Sequence, residues 1–281
     1  MTGKVVGQLQ LGNLPNVWHS LDTLENETDR SDTHSTTDMG FTDRKFDEVS
    51  RTGQRMYIQA RHFIQTARDN QKALEEMLAS IGARPYAPWN LVRPAFESSL
   101  YAIWMLEPDN QRERLRRSLR IAWEERRQHT ARLKLIVKIS GAAGHDDVLR
   151  AEARDREIKR RYEDEATVLN MSRKDLTAKV ILTDEIPRLR SLTAMEGVHP
   201  DFHLLKWREL SGVQHGEMGA MNLLSDTNYG LKIPGGFTAV VSLNDNSFVA
   251  TCYSAAAMQM TAMSLYVQRS RAAAKALLPP S

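Results

Sequence analysis

The sequence has one cysteine, Cys252, among 281 residues, so it can form neither an intramolecular disulfide nor a cysteine-based zinc site. It also has no run approaching the roughly 18 consecutive apolar residues of a transmembrane helix. Its first residues lack the basic start and the long apolar stretch of a signal peptide. We therefore expect a cytoplasmic protein without membrane contact.

The short motifs of several enzyme classes are absent as well. The chain contains no G-x-S-x-G, no P-loop, no G-x-G-x-x-G and no H-E-x-x-H. Cys252 stands among Ala, Thr and Tyr residues with no histidine close by in the sequence, which favours a buried structural thiol over a nucleophile. These absences remove the common hydrolase, nucleotide-binding and metalloprotease classes, and we expect neither a cofactor nor a metal.

Charge is unevenly distributed along the chain. The net charge is +3, but residues 1–43 carry seven acids and two bases, so the remainder is about +8. Residues 1–40 are rich in Thr, Asp, Ser and Asn and can bury little apolar area, so we predict a disordered acidic arm. Its two apolar spots, Leu9 to Leu14 and Val17–Trp18, would dock on the body or on a protein partner.

From residue 41 onward the apolar residues recur at helical spacing, and no strand–helix alternation supports a parallel sheet. We predict a single domain over residues 41–279, an all-α bundle of about six to seven helices with one short irregular or hairpin insertion near 230–245. The segment "WNLVRPAFESSLYAIWML" is apolar nearly all round, as in a central helix. Asp109 or Asn110 would cap the following helix.

A polar face interrupts the later segment "RELSGVQHGEMGAMNLL", which we predict to be part of one helix from Asp201 to Leu224. Helical geometry places Arg208, Ser211 and His215 on one face. Beside them runs a row of glycines, which would let another backbone approach closely: Gly212, Gly216 and Gly219. Together with the Ala- and Met-rich last helix, this row predicts close helix packing, and we expect a homodimer.

Two charges lie in the apolar central helix. Arg93 and Glu97 are separated by four residues, so they share a face, and Tyr101 continues it. A lone buried charge is strongly destabilising, so the two should pair with each other or with groups on a neighbouring helix. We expect Arg93 and Glu97 to meet the face that carries Arg208 and His215.

The segments "LVRPAFESSLYAIW" and "WRELSGVQHG" together resemble a family of uncharacterised bacterial helical proteins. That family carries an Arg…Glu helix and a later helix with the pattern aromatic-x-x-Leu-Ser-x-x-x-His. The resemblance covers about residues 88–220. It implies an all-helical fold and brings no established activity with it.

The spacing from Arg208 to His215 is also similar to the R-x(4–6)-H motif of the HEPN superfamily, which includes dimeric metal-independent ribonucleases of toxin and defence systems. The resemblance implies that His215 would act as general acid or base at the ribose 2′-OH and the leaving oxygen. Arg208 would stabilise the phosphate transition state, and Ser211 would orient the phosphate. Arg55 and His62 have the same spacing, so the motif is not specific.

Other interpretations remain open. The same residues, Arg93, Glu97, Ser211 and His215, can instead form a buried structural network in a non-enzymatic interaction or scaffold protein. Glu196, His199 and His203 have the spacing of helical metal ligands, although Gly and Pro interrupt them. The run from Arg112 to Lys138 holds ten bases and three acids, which fits a solvated helix face or an RNA-binding surface. Whether His215 lies in an open cleft or is sealed separates the first two hypotheses.

Overall fold

The computed structural model describes residues 12–34, 43–140, 145–193, 198–199 and 201–270. These residues are mainly helical with one two-stranded sheet, which confirms the all-α fold class. In chain order the elements are α1 (Leu14–His34), α2 (Asp43–Asp47), α3 (Arg51–Ser80), α4 (Trp89–Leu106), α5 (Gln111–Ser140), α6 (His145–Val168), α7 (Arg173–Thr177), α8 (Leu182–Glu185), a 3-10 helix (Ile186–Arg188), α9 (Arg190–Thr193), α10 (Phe202–Gln214), α11 (Met218–Leu223), β1 (Ser225–Ile233), β2 (Gly236–Leu243) and α12 (Asp245–Ser270).

The described residues thus contain twelve α-helices, where the sequence predicted about six or seven. Five of the twelve are short, with six residues or fewer. Such short helices bury at most one residue each and have too few residues for a helical period to show in the sequence.

In this part of the chain no helix combines the length and the apolar character needed to cross a membrane.

Helix α4 is the central helix, as its sequence predicts. Trp89, Phe96 and Trp104 are buried in it. The ring of Trp89 meets Phe248 of α12 edge-on at 5.4 Å, and the ring of Phe96 stacks on Trp207 of α10 at 6.3 Å. An all-round apolar helix can be covered only if neighbours pack on every side, and α3, α10 and α12 provide that cover.

The acidic arm is not disordered throughout, and that prediction is wrong for Leu14–His34, which forms α1. Leu14, Trp18 and Leu21 fall on one face and are buried, so α1 belongs to the same hydrophobic core as the predicted domain. Three large apolar side chains at helical spacing are enough to anchor an otherwise polar segment. Residues 1–11 and 35–40 of the predicted arm lie outside the described residues.

A buried arginine of α3 completes the docking of α1. The guanidinium of Arg68 contacts Asp22 at 2.5 Å and Glu25 at 3.5 Å, both on α1, and Glu75 on its own helix at 3.0 Å. Arg68 is 1% exposed, whereas the three carboxylates remain partly in water. The acids that made α1 look like a disordered arm therefore partner a cation that is far away in the sequence.

The insertion before α12 is a β-hairpin. The sequence predicted an irregular or hairpin insertion near 230–245, and the structure shows the hairpin, which begins earlier because Ser225–Ile233 pairs with β2 in an antiparallel register from Ser225↔Leu243 to Ile233↔Gly236. Gly235, with a φ of +87°, makes the turn. The Asn244 side chain accepts a hydrogen bond from the Ser247 N–H and caps α12.

We expect Arg68→Met to lower the free energy of unfolding by about 1–3 kcal/mol, because it removes a buried charge from three partly exposed acids. The amide hydrogens of α1 should then exchange faster with solvent than those of α3. Lys72→Met is the matched control, since Lys72 makes a more exposed ion pair with the same Glu25, and its effect should stay below about 1 kcal/mol. Unchanged protection of α1 in Arg68→Met would contradict this role.

Candidate functional site

The predicted Arg–Ser–His face lies at the C-terminal half of α10, but the helix ends one residue before His215. The His215 N–H still donates to the Ser211 carbonyl, and Gly216 follows with a φ of +71°. A residue in that conformation ends a helix, and glycine adopts it readily. The single helix predicted from Asp201 to Leu224 is therefore two helices, α10 and α11, joined by a turn.

These three side chains face solvent to different degrees. Arg208 and His215 are exposed, and Ser211 is half-buried. Among the described residues, no hydrogen bond or ion pair reaches the His215 ring. His215 is thus neither sealed in the core nor placed at the bottom of a cleft, the two arrangements that would have separated the hypotheses.

The row of glycines has different uses along its length. A Cβ on Gly212 would lie 2.5 Å from the Cβ of Ala220, so the absent side chain lets α11 fold back on α10. Gly216 makes the turn, and Gly219 has open space where a Cβ would point. The close approach that the glycines predicted is found within one chain.

Arg93 and Glu97 form the predicted pair on α4, with 3.5 Å between Nε of Arg93 and Oε2 of Glu97. The Arg93 guanidinium also lies 5.2 Å from the centre of the Trp207 ring, within the range of a cation–π contact. Burial raises the pKa of the Glu97 carboxyl, while the charge of Arg93 acts in the opposite direction. A shared charge pair and an aromatic neighbour explain how α4 tolerates two ionisable residues.

The predicted meeting of the two groups does not occur as expected. Helices α4 and α10 do pack together, but Arg93 reaches Trp207, and across the described residues no hydrogen bond or ion pair joins Arg93 or Glu97 to Arg208, Ser211 or His215. The reason is rotation: Trp207 and Leu210 face α4 and are buried, which turns Arg208 outward. The five predicted residues do not form one constellation.

The histidines of the metal hypothesis also separate. His203 is buried, with Nδ1 2.7 Å from the hydroxyl of Ser254, and burial lowers its pKa. His199 is exposed, and Glu196 lies outside the described residues. Within the described ranges, no group of three or more His, Cys, Asp or Glu side chains is arranged to hold a metal ion. Burial also raises the pKa of the Cys252 thiol, as expected of a structural cysteine.

The largest buried polar cluster was missed by the sequence reasoning. Arg114 of α5 donates two hydrogen bonds to Asp47 of α2, at 2.9 and 3.0 Å, and Tyr57 of α3 donates a third to the same carboxylate. Burial raises the pKa of Asp47, and the hydrogen bonds and charge of Arg114 act against that rise. All three residues are almost fully buried, so the cluster fixes three helices relative to one another.

A second buried arginine, Arg269 of α12, binds the end of α4. It donates to the carbonyls of Leu106 and Glu107 at 3.1 and 2.9 Å, and it pairs with Asp43 and Asp109. The last carbonyls of a helix have no partner inside the helix and carry partial negative charge. A guanidinium is suited to them because it presents five N–H donors in one plane.

The basic run of α5 uses the same chemistry. Arg116 donates to the carbonyls of Leu169 and Asn170, Arg117 to that of Trp104, and Arg120 to those of Ala178 and Lys179. Further along, Arg127 pairs with Glu124. Six of the ten bases between Arg112 and Lys138 thus have partners within the chain, and RNA binding by this surface stays a prediction.

A cavity of about 340 Å³ lies between α3, α4 and α5. Phe63 and Tyr101 stack in it at 5.3 Å. Burial, followed by the charges of Glu97 and Glu124, raises the pKa of Tyr101 to about 12. The cavity lining thus combines these aromatic rings with charged side chains, among them the paired Glu124 and Arg127.

Exposed apolar side chains concentrate on two projections. The first, here called the helical arm, is residues 124–140 of α5 with residues 145–161 of α6; Asp155 is the one buried side chain among its described residues. Arg126, Thr130 and Lys159 contact this carboxylate. The arm exposes Leu135, Ile136, Ile139 and Leu149. The second projection is the β-hairpin, which exposes Tyr229, Leu231, Ile233, Phe237 and Val240.

Neither a family model, nor a curated protein, nor a solved structure matches this chain.

We expect Asp47→Asn and Arg114→Met each to lower the free energy of unfolding by about 3–5 kcal/mol, because each leaves its buried partner uncompensated. Urea denaturation followed by circular dichroism measures the change. The matched control is Arg127→Gln, which breaks the partly exposed pair with Glu124 and should cost less than about 1 kcal/mol. Equal effects at buried and exposed pairs would contradict the structural role of the cluster.

Proposed function

We propose that this protein is a non-enzymatic helical interaction protein, in which a rigid body presents the helical arm and the β-hairpin to other macromolecules. The observation that carries the proposal is the placement of large apolar side chains on these two projections. Ile139 of the arm is 84% exposed, and Leu231 of the hairpin is 79% exposed. Apolar surface gathered in one place on a folded protein is typical of an interaction site.

The buried polar residues support the same interpretation. Arg114 donates hydrogen bonds to Asp47, and both Arg114 and Arg269 donate to carbonyls at the end of α4, so these residues hold the body together. A catalytic group must instead have a hydrogen-bonding atom free to meet a substrate. The buried cluster of Arg114 and Asp47 is therefore suited to holding together the body that carries the projections.

The second candidate is the HEPN-like ribonuclease. One observation favours it: Arg208 and His215 are both accessible, and they lie about 10 Å apart along the axis of α10. The neighbouring carboxylate of Glu209 is paired with Lys206 at 2.7 Å, which removes one obstacle to phosphate binding. Against it, acid–base catalysis needs a positioned ring, and no contact among the described residues orients that of His215.

We expect RNA incubated with the purified protein to stay intact, and His215→Ala and Arg208→Ala to change neither this result nor the stability by more than about 0.5 kcal/mol. His62→Ala is the matched control, because His62 is also exposed and ends the second copy of the spacing. Gel analysis of a mixed-sequence RNA is the measurement. Cleavage that is lost in His215→Ala and Arg208→Ala but kept in His62→Ala would establish the ribonuclease and overturn the proposal.

A photocrosslinking amino acid tests the proposed function directly. We expect p-benzoylphenylalanine placed at Ile139 or Leu231 to give adducts of defined mass in cells that express the full chain. The same group at Val49 or Val168, which are as exposed but lie on the body, should give few adducts. Equal adduct formation at all four positions would indicate non-specific contact, and no adducts at Ile139 and Leu231 would refute the proposal.

A further inference from the structure

The β-hairpin and the adjoining α11 carry an apolar surface whose occupant is suggested by its shape and charge. From these features we infer that a second copy of this chain binds there, through an isologous contact. The inference rests on the proposed function, since it names one partner for one of the two projections. The sequence predicted a homodimer from the row of glycines and from the last helix. Both features pack within one chain, since Gly212 lies against Ala220 and α12 packs against α4 and α1, so the proposed contact is a different surface.

The register shows which side of the hairpin is open. Cross-strand partners point to the same face, so Tyr229 and Ala239 share a face, and Phe237 lies on it two residues before Ala239. The rings of Tyr229 and Phe237 meet edge-on at 6.4 Å. At the base of this face Leu243 is buried in the body, whereas the outer half, with Tyr229 76% exposed, is open.

The opposite face is mixed, with Asn228 and Ser242 beside an exposed apolar side chain. Val240 lies there, one residue from Ala239, and it is exposed. Two residues of β1, Gly230 and Leu231, oppose Thr238 alone, and such a bulge twists the strands locally. A two-stranded hairpin with apolar side chains on both faces is marginally stable in water by itself. A partner that covers it therefore stabilises the hairpin too.

Helix α11 adds apolar surface next to the hairpin. Met218 and Leu223 are exposed on it, and Leu224 connects it to β1. One surface thus holds both a protruding element, the hairpin, and an apolar patch beside it. In a two-fold dimer the protruding hairpin of each chain packs on the patch of the other, which is the arrangement that an isologous contact requires.

The area is that of a dimer interface. The exposed apolar residues of α11 and the hairpin are Met218, Leu223, Tyr229, Leu231, Ile233, Phe237 and Val240. With roughly 150–250 Å² for a large aromatic side chain and somewhat less for an aliphatic one, they present on the order of 700 Å². A standard interface buries about 800 Å² on each partner. The patch alone nearly reaches that size.

Charge favours a second copy over a polyanion. Residues 225–243 contain one acid, Asp226, and one base, Lys232, so the hairpin has no net charge. Nucleic acids and anionic membrane surfaces bind through clusters of Lys and Arg. A nearly neutral apolar surface instead matches another surface of the same kind.

Sedimentation velocity of the full chain over micromolar concentrations tests the inference. We expect a species of twice the 31.9 kDa chain mass. Phe237→Glu and Tyr229→Glu should raise the dimer dissociation constant at least tenfold, because each places a charge in the contact. Both residues lie outside the hydrophobic core, so circular dichroism should show unchanged helix content. Ile139→Glu and Val168→Glu, equally exposed elsewhere, are the matched controls and should leave the dimer intact.

An engineered thiol gives a second measurement that does not depend on destabilisation. A mixture of Leu231→Cys and Met218→Cys chains should form an interchain disulfide under mild oxidation, and a mixture of Val168→Cys and Met218→Cys chains should not; the native Cys252 is buried and should stay reduced. A monomer at all concentrations would overturn this inference, while adducts to a different molecule from Ile139 or Leu231 would leave the proposed function standing. A dimer lost in Ile139→Glu but kept in Phe237→Glu would also overturn it and assign the contact to the helical arm.

Discussion

The carbonyl oxygens at the C-terminal end of α4 are buried, and the packing of five helices depends on the two arginines that bind them. Arg269 binds the carbonyls of Leu106 and Glu107, and Arg114 binds those of Pro108 and Asp109. A buried carbonyl without a partner costs about 1–3 kcal/mol. Because α4 is central, the carbonyls of its last turn cannot accept hydrogen bonds from water, and side chains must donate to them instead.

Each arginine brings a charge that must itself be neutralised, and this requirement extends the cluster. Asp47 neutralises Arg114 and draws in the hydroxyl of Tyr57, while Asp43 and Asp109 neutralise Arg269. In this way the end of one helix determines the positions of α2, α3, α5 and α12. Such a satisfied network favours one arrangement of the body over alternatives that would leave a charge unpaired.

Local patterns in the sequence were enough to predict much of the fold. The apolar helix α4, the cap at Asn110 and the pair of Arg93 and Glu97 each depend on residues within five positions of one another. Helix α1 could not be predicted in this way, because its acids find Arg68 more than forty residues away. Arg114 and Asp47 are 67 residues apart, so nothing near either one indicates that it is buried.

The predicted site also shows that local sequence patterns do not give contacts between distant segments. Helical periodicity placed Arg208, Ser211 and His215 on one face correctly up to Gln214, where the helix ends. It did not give the rotation of α10, which Trp207 determines by packing on Phe96 and under Arg93. The packing of Trp207 thus places an apolar face of α10 against α4 and leaves the polar face of α10 exposed to solvent.

That outward rotation bears on where the molecule makes contact with others. Arg208 and His215 lie on the helix that leads through the Gly216 turn into α11 and the β-hairpin, so the polar face and the apolar surface belong to one stretch of chain. Leu224 and Leu243 anchor the hairpin to the hydrophobic core, while its outer half is open to solvent. Large apolar side chains that are exposed to water lower the solubility of a protein unless a partner covers them. We therefore propose binding, and not packing within the body, as the role of the exposed apolar residues of the hairpin region.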